Sequence, residues 1–155
     1  MIPILEGIHL ANKTNARIES ELEVKTYIQD LKFALNNGAK INFQAKRHVD
    51  ENREEKYTNQ YTINTLFPNE NPVDAIKREL LTLSVEDYMQ TVKDMRFPKR
   101  SEMREFGKVY NGTDDVYIKI RVELLGIYGN TTTFVMSFHY AERAFMPEMF
   151  PYRKK

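Results

Sequence analysis

The run of residues 116–125 constrains this chain more than any other. Val116, Ile118, Ile120, Val122 and Leu124 alternate with Tyr117, Lys119, Arg121 and Glu123. Successive side chains of a β-strand point to opposite faces, so this pattern predicts a strand that is dry on one side and aromatic and cationic on the other. Residues 106–110 and 131–140 are also rich in β-branched and aromatic side chains. Asn111-Gly112 and Gly129-Asn130 lie between these runs, and both are turn dipeptides. Together they predict a three-strand antiparallel meander whose apolar face needs cover.

The cover comes from upstream. Residues 15–36 read as a helix with Ile18, Leu22, Ile28, Leu31 and Leu35 near one face and Gly38 as its stop. Residues 39–44 read as a short strand with Ile41 and Phe43 on one side. Residues 46–58 are polar and of mixed sign, a solvated loop or exposed helix start that contains His48. A short helix then carries Tyr57, Tyr61, Ile63, Leu66 and Phe67 and ends at Pro68. Asn71 before Pro72 marks another helix start, with Val73, Ile76, Leu80 and Leu83 turned inward. Ser84 and Asp87 have capping-box spacing, which predicts that the helix restarts through Tyr88 and Val92. A polar loop follows from 94 to 104, and the tail after Arg143 reads as irregular.

The resulting expectation is a single α+β domain over 1–155, its N-terminal helices packed on one face of a small antiparallel sheet. Its parts are an arm, helix and short strand (1–45), a helical region (46–94), the antiparallel sheet (95–142) and a tail (143–155). The apolar residues of 1–10 are broken by Glu6 and His9 and follow no positive start, so this segment reads as a packed arm. No run approaches the roughly 20 apolar residues of a membrane span. With no cysteine in 155 residues, disulfides, Cys-based zinc sites and thiol nucleophiles are excluded, and the expected location is the cytoplasm.

A formal net charge of +1 rules out a general basic coat, so contact with nucleic acid must come from a local patch. The polar face of the long strand is such a patch. If Phe134, Met136 and Phe138 join Ile118 and Ile120 in the core, Ser137 and His139 join Tyr117 and Lys119 on the opposite side. Imidazole, ammonium, guanidinium and phenol then share one floor, and that set suits an RNA phosphodiester. Cleavage by the neighbouring 2′-hydroxyl needs a proton acceptor, a proton donor at the leaving 5′-oxygen and positive charge for the phosphorane. His139 is the expected proton-transfer group, Lys119 and Arg121 the phosphate stabilisers, and Tyr117 a hydrogen-bonding or stacking group. Lys93, Arg96, Lys99, Arg100 and Arg104 make the 93–104 loop a second candidate RNA contact. The scheme requires no metal and no cofactor. The chain has no G-x-x-x-x-G-K-[ST], G-x-G-x-x-G, H-E-x-x-H or G-x-S-x-G pattern, which disfavours nucleotide hydrolysis, dinucleotide redox chemistry and zincin or serine-hydrolase chemistry.

Leu83-Ser84-Val85-Glu86-Asp87-Tyr88, then Phe106-Gly107, then Val116-Tyr117-Ile118-Lys119-Ile120, then Ser137-Phe138-His139 occur in that order. Over about 80–142 this series resembles the MqsR-like family of type II toxin–antitoxin ribonucleases, which have a RelE-like fold. The resemblance implies an endoribonuclease that cuts single-stranded mRNA and is held inactive by a cognate antitoxin. Tyr117 and Lys119 fall on the Tyr-x-Lys strand of that family. His139 stands where better-known members have a Lys. Met89 and Gln90 stand where those members have a Lys, and Gly107 where they have a Gln. The rival reading, from a different class, is a catalytically silent interaction or inhibitor protein on the same fold, encoded by a phage or mobile element.

Overall fold

The computed structural model describes residues 14–125 and 130–154. Its frame is a six-stranded sheet in the order β1-β3-β4-β5-β6-β2. The strands are β1 (Thr14–Arg17), β2 (Lys40–Phe43), β3 (Tyr88–Asp94), β4 (Met103–Tyr110), β5 (Asp114–Leu125) and β6 (Asn130–Tyr140). All neighbours pair antiparallel except β2 and β6, which run parallel at one edge. The β4-β5-β6 core of the sheet is the expected meander. Asn111 and Gly112 turn its first hairpin with φ of 52° and 78°, the left-handed region these two residue types tolerate. Gly129 of the second hairpin dipeptide and the N-terminal arm, His9 included, lie outside the described residues, and Asn130 opens β6.

Helices α1 (Glu21–Asn36), α2 (Asn59–Leu66) and α3 (Pro72–Leu80) cover one face. The fold is therefore α+β with helices on one side of a mostly antiparallel sheet. Val116, Ile118, Ile120, Val135 and Phe138 face the helices from the sheet, and Val24, Ile28, Leu31, Leu35, Ile63, Ile76 and Leu80 meet them. No helix among the described residues is long and apolar enough to cross a membrane.

Four local expectations are corrected. The first helix starts at Glu21, because Ser20 caps it and Glu23 returns the bond to the Ser20 N–H. Residues 15–17 instead pair with β3 as an edge strand. Val24 takes the inward place assigned to Leu22, which is 75% exposed, and Ile18 is also outside the core. The second correction concerns Ser84 and Asp87. The Asp87 carboxylate does accept the Ser84 N–H at 2.9 Å, but the pair closes only a single 3₁₀ turn at Val85–Asp87. Tyr88 and Val92 then belong to β3, so the region 46–94 is not wholly helical. Val73 is the third, an exposed residue of α3 while Ala75 takes its place inside.

The fourth correction concerns parity in β6. Lys119 pairs with Ser137 but Ile120 pairs with Val135, so Met136 is an extra, bulged residue. The bulge reverses the alternation: Phe138 lies in the core as expected, whereas Phe134 goes to the polar face and Val135 replaces it inside. Asn59 of α2 secures the bulge. Its amide nitrogen donates to the Met136 carbonyl at 3.0 Å and the Gln44 carbonyl at 2.8 Å, and its oxygen accepts the Phe138 N–H at 2.9 Å.

The tail is ordered by contacts rather than by regular structure. The Asp115 carboxylate accepts the Phe145 N–H at 2.8 Å, and the Asp115 carbonyl accepts the Ala141 N–H at 2.9 Å. Phe145 and Phe150 then pack edge to face over Gly107 of β4. A Cβ on Gly107 would stand 2.7 Å from Phe145 and 2.8 Å from Phe150, so any larger residue would force these two rings to shift. Gly107→Ala is expected to unseat residues 143–150 and to cost about 1–3 kcal/mol, the usual range for overpacking. Thermal melts and limited proteolysis check this. An alanine variant with a wild-type midpoint and an uncut tail would show that the seat is not needed.

Candidate active site

The face of the sheet away from the helices carries three rows of side chains. In the first, Gly107, Tyr117 and His139 stand side by side on β4, β5 and β6. In the second, Gln90, Glu105, Lys119 and Ser137 cross from β3 to β6. In the third, Val92, Met103, Arg121 and Phe134 follow. The bulge at Met136 keeps Ser137 and His139 on this face, and Thr62 of α2 holds the next residue by accepting the Tyr140 N–H at 2.9 Å.

Tyr117 and His139 are in contact, their ring centroids 5.4 Å apart. The His139 Nδ1 lies 2.8 Å from the Tyr140 carbonyl, an acceptor only, so Nδ1 carries the proton and Nε2 keeps its lone pair. Burial lowers the His139 pKa, and the Arg53 and Arg47 charges lower it further, against the Tyr140 hydrogen bond. The ring is therefore neutral at pH 7 and ready to accept a proton at Nε2. Burial and the Glu105 carboxylate push the Tyr117 phenol far above its ordinary value, so its hydroxyl stays a hydrogen-bond donor.

Lys119 makes no ion pair within 4.0 Å among the described residues. Burial lowers its pKa, Arg47 and Arg53 add to that effect, and Glu105 across the ladder opposes it. An ammonium in that setting is a better acid than a solvated lysine. Glu105 is 8% exposed and is oriented by Gln90, whose amide donates to it at 2.9 Å.

Two arginines complete the site, and sequence reasoning missed both. Arg47 and Arg53 come from the 46–58 stretch, read above as solvated. In the structure this stretch forms two 3₁₀ turns, at His48–Asn52 and Glu55–Tyr57. Arg47 reaches the Ser137 hydroxyl at 3.4 Å, and burial lowers its pKa. Arg53 lies between Asp50 at 3.8 Å and Glu142 at 3.3 Å. His48 points away, its side chain 91% exposed, as expected of a solvated residue. Glu105 was missed as well. The one available signal was the alternation of Met103, Glu105 and Gly107 against Arg104 and Phe106.

The remaining expected residues do not gather at His139. Arg121 is on the right face but one row beyond Lys119. Four residues of strand, about 13 Å, separate it from Tyr117. It is 9% exposed, its guanidinium bonds Glu123 at 2.6 Å and lies 4.3 Å from the Phe134 ring, so its role is packing at that end of the sheet. Arg104 is on the opposite face, under α1. Its Nε and Nη2 each donate to the Glu19 carboxylate at 3.0 Å and it stacks on Tyr27, which removes it from any RNA surface. In the 94–102 loop Arg96 is neutralised by Asp94, Arg100 stacks on Phe97, and Lys93 bonds the Arg100 carbonyl. Lys99 is exposed. The loop joins β3 to β4 at the Arg121 end, so it is a separate patch from the His139 site.

Comparison of the chain with known protein families, with curated proteins and with solved structures finds no match.

Proposed function

We propose that this protein is an endoribonuclease that cleaves single-stranded RNA through attack of the 2′-hydroxyl, in the manner its motif resemblance to MqsR-like toxins implies. The observation that carries the proposal is the pairing of Tyr117 with His139 and of Lys119 with Ser137 across one strand pair. It brings a neutral imidazole with a free Nε2, a polarised ammonium and a phenol to one surface.

The step balances with these groups alone. His139 Nε2 takes the 2′-hydroxyl proton as the 2′-oxygen bonds to phosphorus. The phosphorus–5′-oxygen bond breaks, and Lys119 protonates the departing 5′-oxygen. Arg47 and the Tyr117 hydroxyl bear on the charge of the phosphorane, where fixed donors in a water-poor site act strongly. Arg47 thereby takes the place first given to Arg121. The products are a 2′,3′-cyclic phosphate and a free 5′-hydroxyl, and solvent restores both protonation states. In a cell, a cognate antitoxin protein covers this surface.

The test is incubation of the purified chain with single-stranded RNA in EDTA, with analysis of the product ends. Cyclic phosphate ends are expected. Lys119→Ala is expected to slow cutting about 10²-fold or more, whereas His48→Ala stays near wild type. Intact RNA, or cutting that Lys119→Ala leaves unchanged, refutes the assignment and favours the silent interaction protein.

A further inference from the structure

The structure assigns a second function to the tail: with β3 it builds a pocket for one unpaired nucleobase of the RNA strand, next to the reacting phosphate. This rests on the ribonuclease reading and extends it to how the substrate is held. The pocket is a shallow depression of about 260 Å³, widely open to solvent. Its exposed lining is almost all carbon, from Met89, Tyr117, His139, Phe145 and Met149, while the charged Glu142 and Arg143 stand at its border. Phe145 and Met149 come from the tail and Met89 from the irregularity in β3, where the register shifts between Tyr88 and Gln90.

Aromatic and thioether walls suit a flat, apolar guest. The charge beside the pocket says which guest. Lys119 and Arg47 make no ion pairs among the described residues; Lys119 lies on the row next to Tyr117 and His139, and Arg47 reaches Ser137 of that row. A flat apolar group joined to a phosphate, one unit after another, is the chemistry of a single-stranded nucleic acid. Bases stack on aromatic side chains whatever their identity, while cations follow the backbone. Because the walls offer few hydrogen-bonding groups, the pocket holds any base and selects for an unpaired one. The tail is thus a wall of the site, and Gly107 is the residue that lets it stand there.

The experiment compares two fluorescein-labelled hexamers of 2′-O-methyl RNA, which cannot be cut, one with bases and one abasic throughout. Their binding to the full chain is followed by anisotropy, alongside cleavage of unmodified RNA. Wild type is expected to favour the base-bearing hexamer by about 5- to 150-fold, the range for stacking of one base. Phe145→Ala and, from the opposite wall, Met89→Ala each remove most of that preference and leave abasic binding unchanged. A folding defect would weaken both probes together, so the preference isolates the pocket. Equal binding of both hexamers by wild type, or variants that keep the preference, overturns the proposal and leaves the pocket to a protein side chain. If RNA is cut while bases are ignored, the pocket fails and the nuclease stands. If the preference behaves as expected but RNA is never cut, the pocket stands and the nuclease reading fails.

Discussion

Replacing His139 with alanine is expected to lower RNA cleavage by about 10²- to 10⁴-fold, the usual contribution of a positioned acid–base group. The thermal midpoint of the variant should stay within a few degrees of wild type, so that lost rate is not lost fold. The pH profile gives an independent reading. In the proposed mechanism the active form is the neutral ring, so the rate should fall as acid protonates it. Burial and the Arg53 and Arg47 charges lower the His139 pKa below the ordinary 6.5, so the acid limb of the profile should lie below that pH. Arg53→Ala removes one opposing charge and should move the limb back upward. A His139→Ala protein that cuts RNA at the wild-type rate would end the acid–base assignment.

Glu19→Ala should destabilise the fold by about 3 kcal/mol. The side chain is 5% exposed and sits where four elements meet. Arg104 donates to it through two nitrogens at 3.0 Å, and Thr91 donates at 2.6 Å. The Tyr88 hydroxyl extends the chain, donating to Thr91 at 2.7 Å while accepting the Glu19 N–H at 3.0 Å. From the tail, Tyr152 bonds the Glu19 carbonyl. Alanine would leave the Arg104 charge with only Glu102, 3.9 Å away. Burial alone would raise the Glu19 pKa, but the bonds from Arg104 and Thr91 prevail and hold it below the ordinary 4.5. The carboxylate therefore stabilises the fold above that pH, and the contribution is lost as pH falls through the lowered value. Urea unfolding at neutral pH and again in acid should show the gap between wild type and Glu19→Ala closing in acid. A constant gap would mean that packing, not the ion pair, is responsible.

The readable parts of this fold are those in which one strand or helix decides its own pattern. The β5 alternation needed no partner to be recognised, and neither did Asn71-Pro72 at the start of α3. Parity in β6 was not local. Met136 carries nothing that announces a bulge; the bulge exists because Asn59, far away in sequence, satisfies its backbone groups. A Ser-x-x-Asp signature likewise says that a turn is capped, not whether a helix or, as here, strand β3 follows. For the site, Tyr117, Lys119 and His139 were legible because they share one ladder. Arg47 and Arg53 were not, since a mixed-charge stretch looks the same whether it is solvated or folded back on a sheet. Arg104 shows the converse: its position in a basic run suggested a phosphate contact, but alternation along β4 sends it beneath α1.

The sheet order also bears on how the chain reaches this fold. The two strands made first, β1 and β2, end up at opposite edges. Each must wait for a partner far along the chain: Thr14 pairs with Asp94, and Lys40 with Thr132. The central hairpins, by contrast, join strands that are adjacent in sequence. Closing long loops costs entropy before any contact repays it, so the centre is the natural nucleus and the edges close last. The 46–58 stretch, which follows directly on β2, carries Arg47 and Arg53. On this order of events the candidate face acquires its two arginines at the end of folding, and a chain with only its central strands formed would have His139 and Lys119 in place without Arg47 and Arg53.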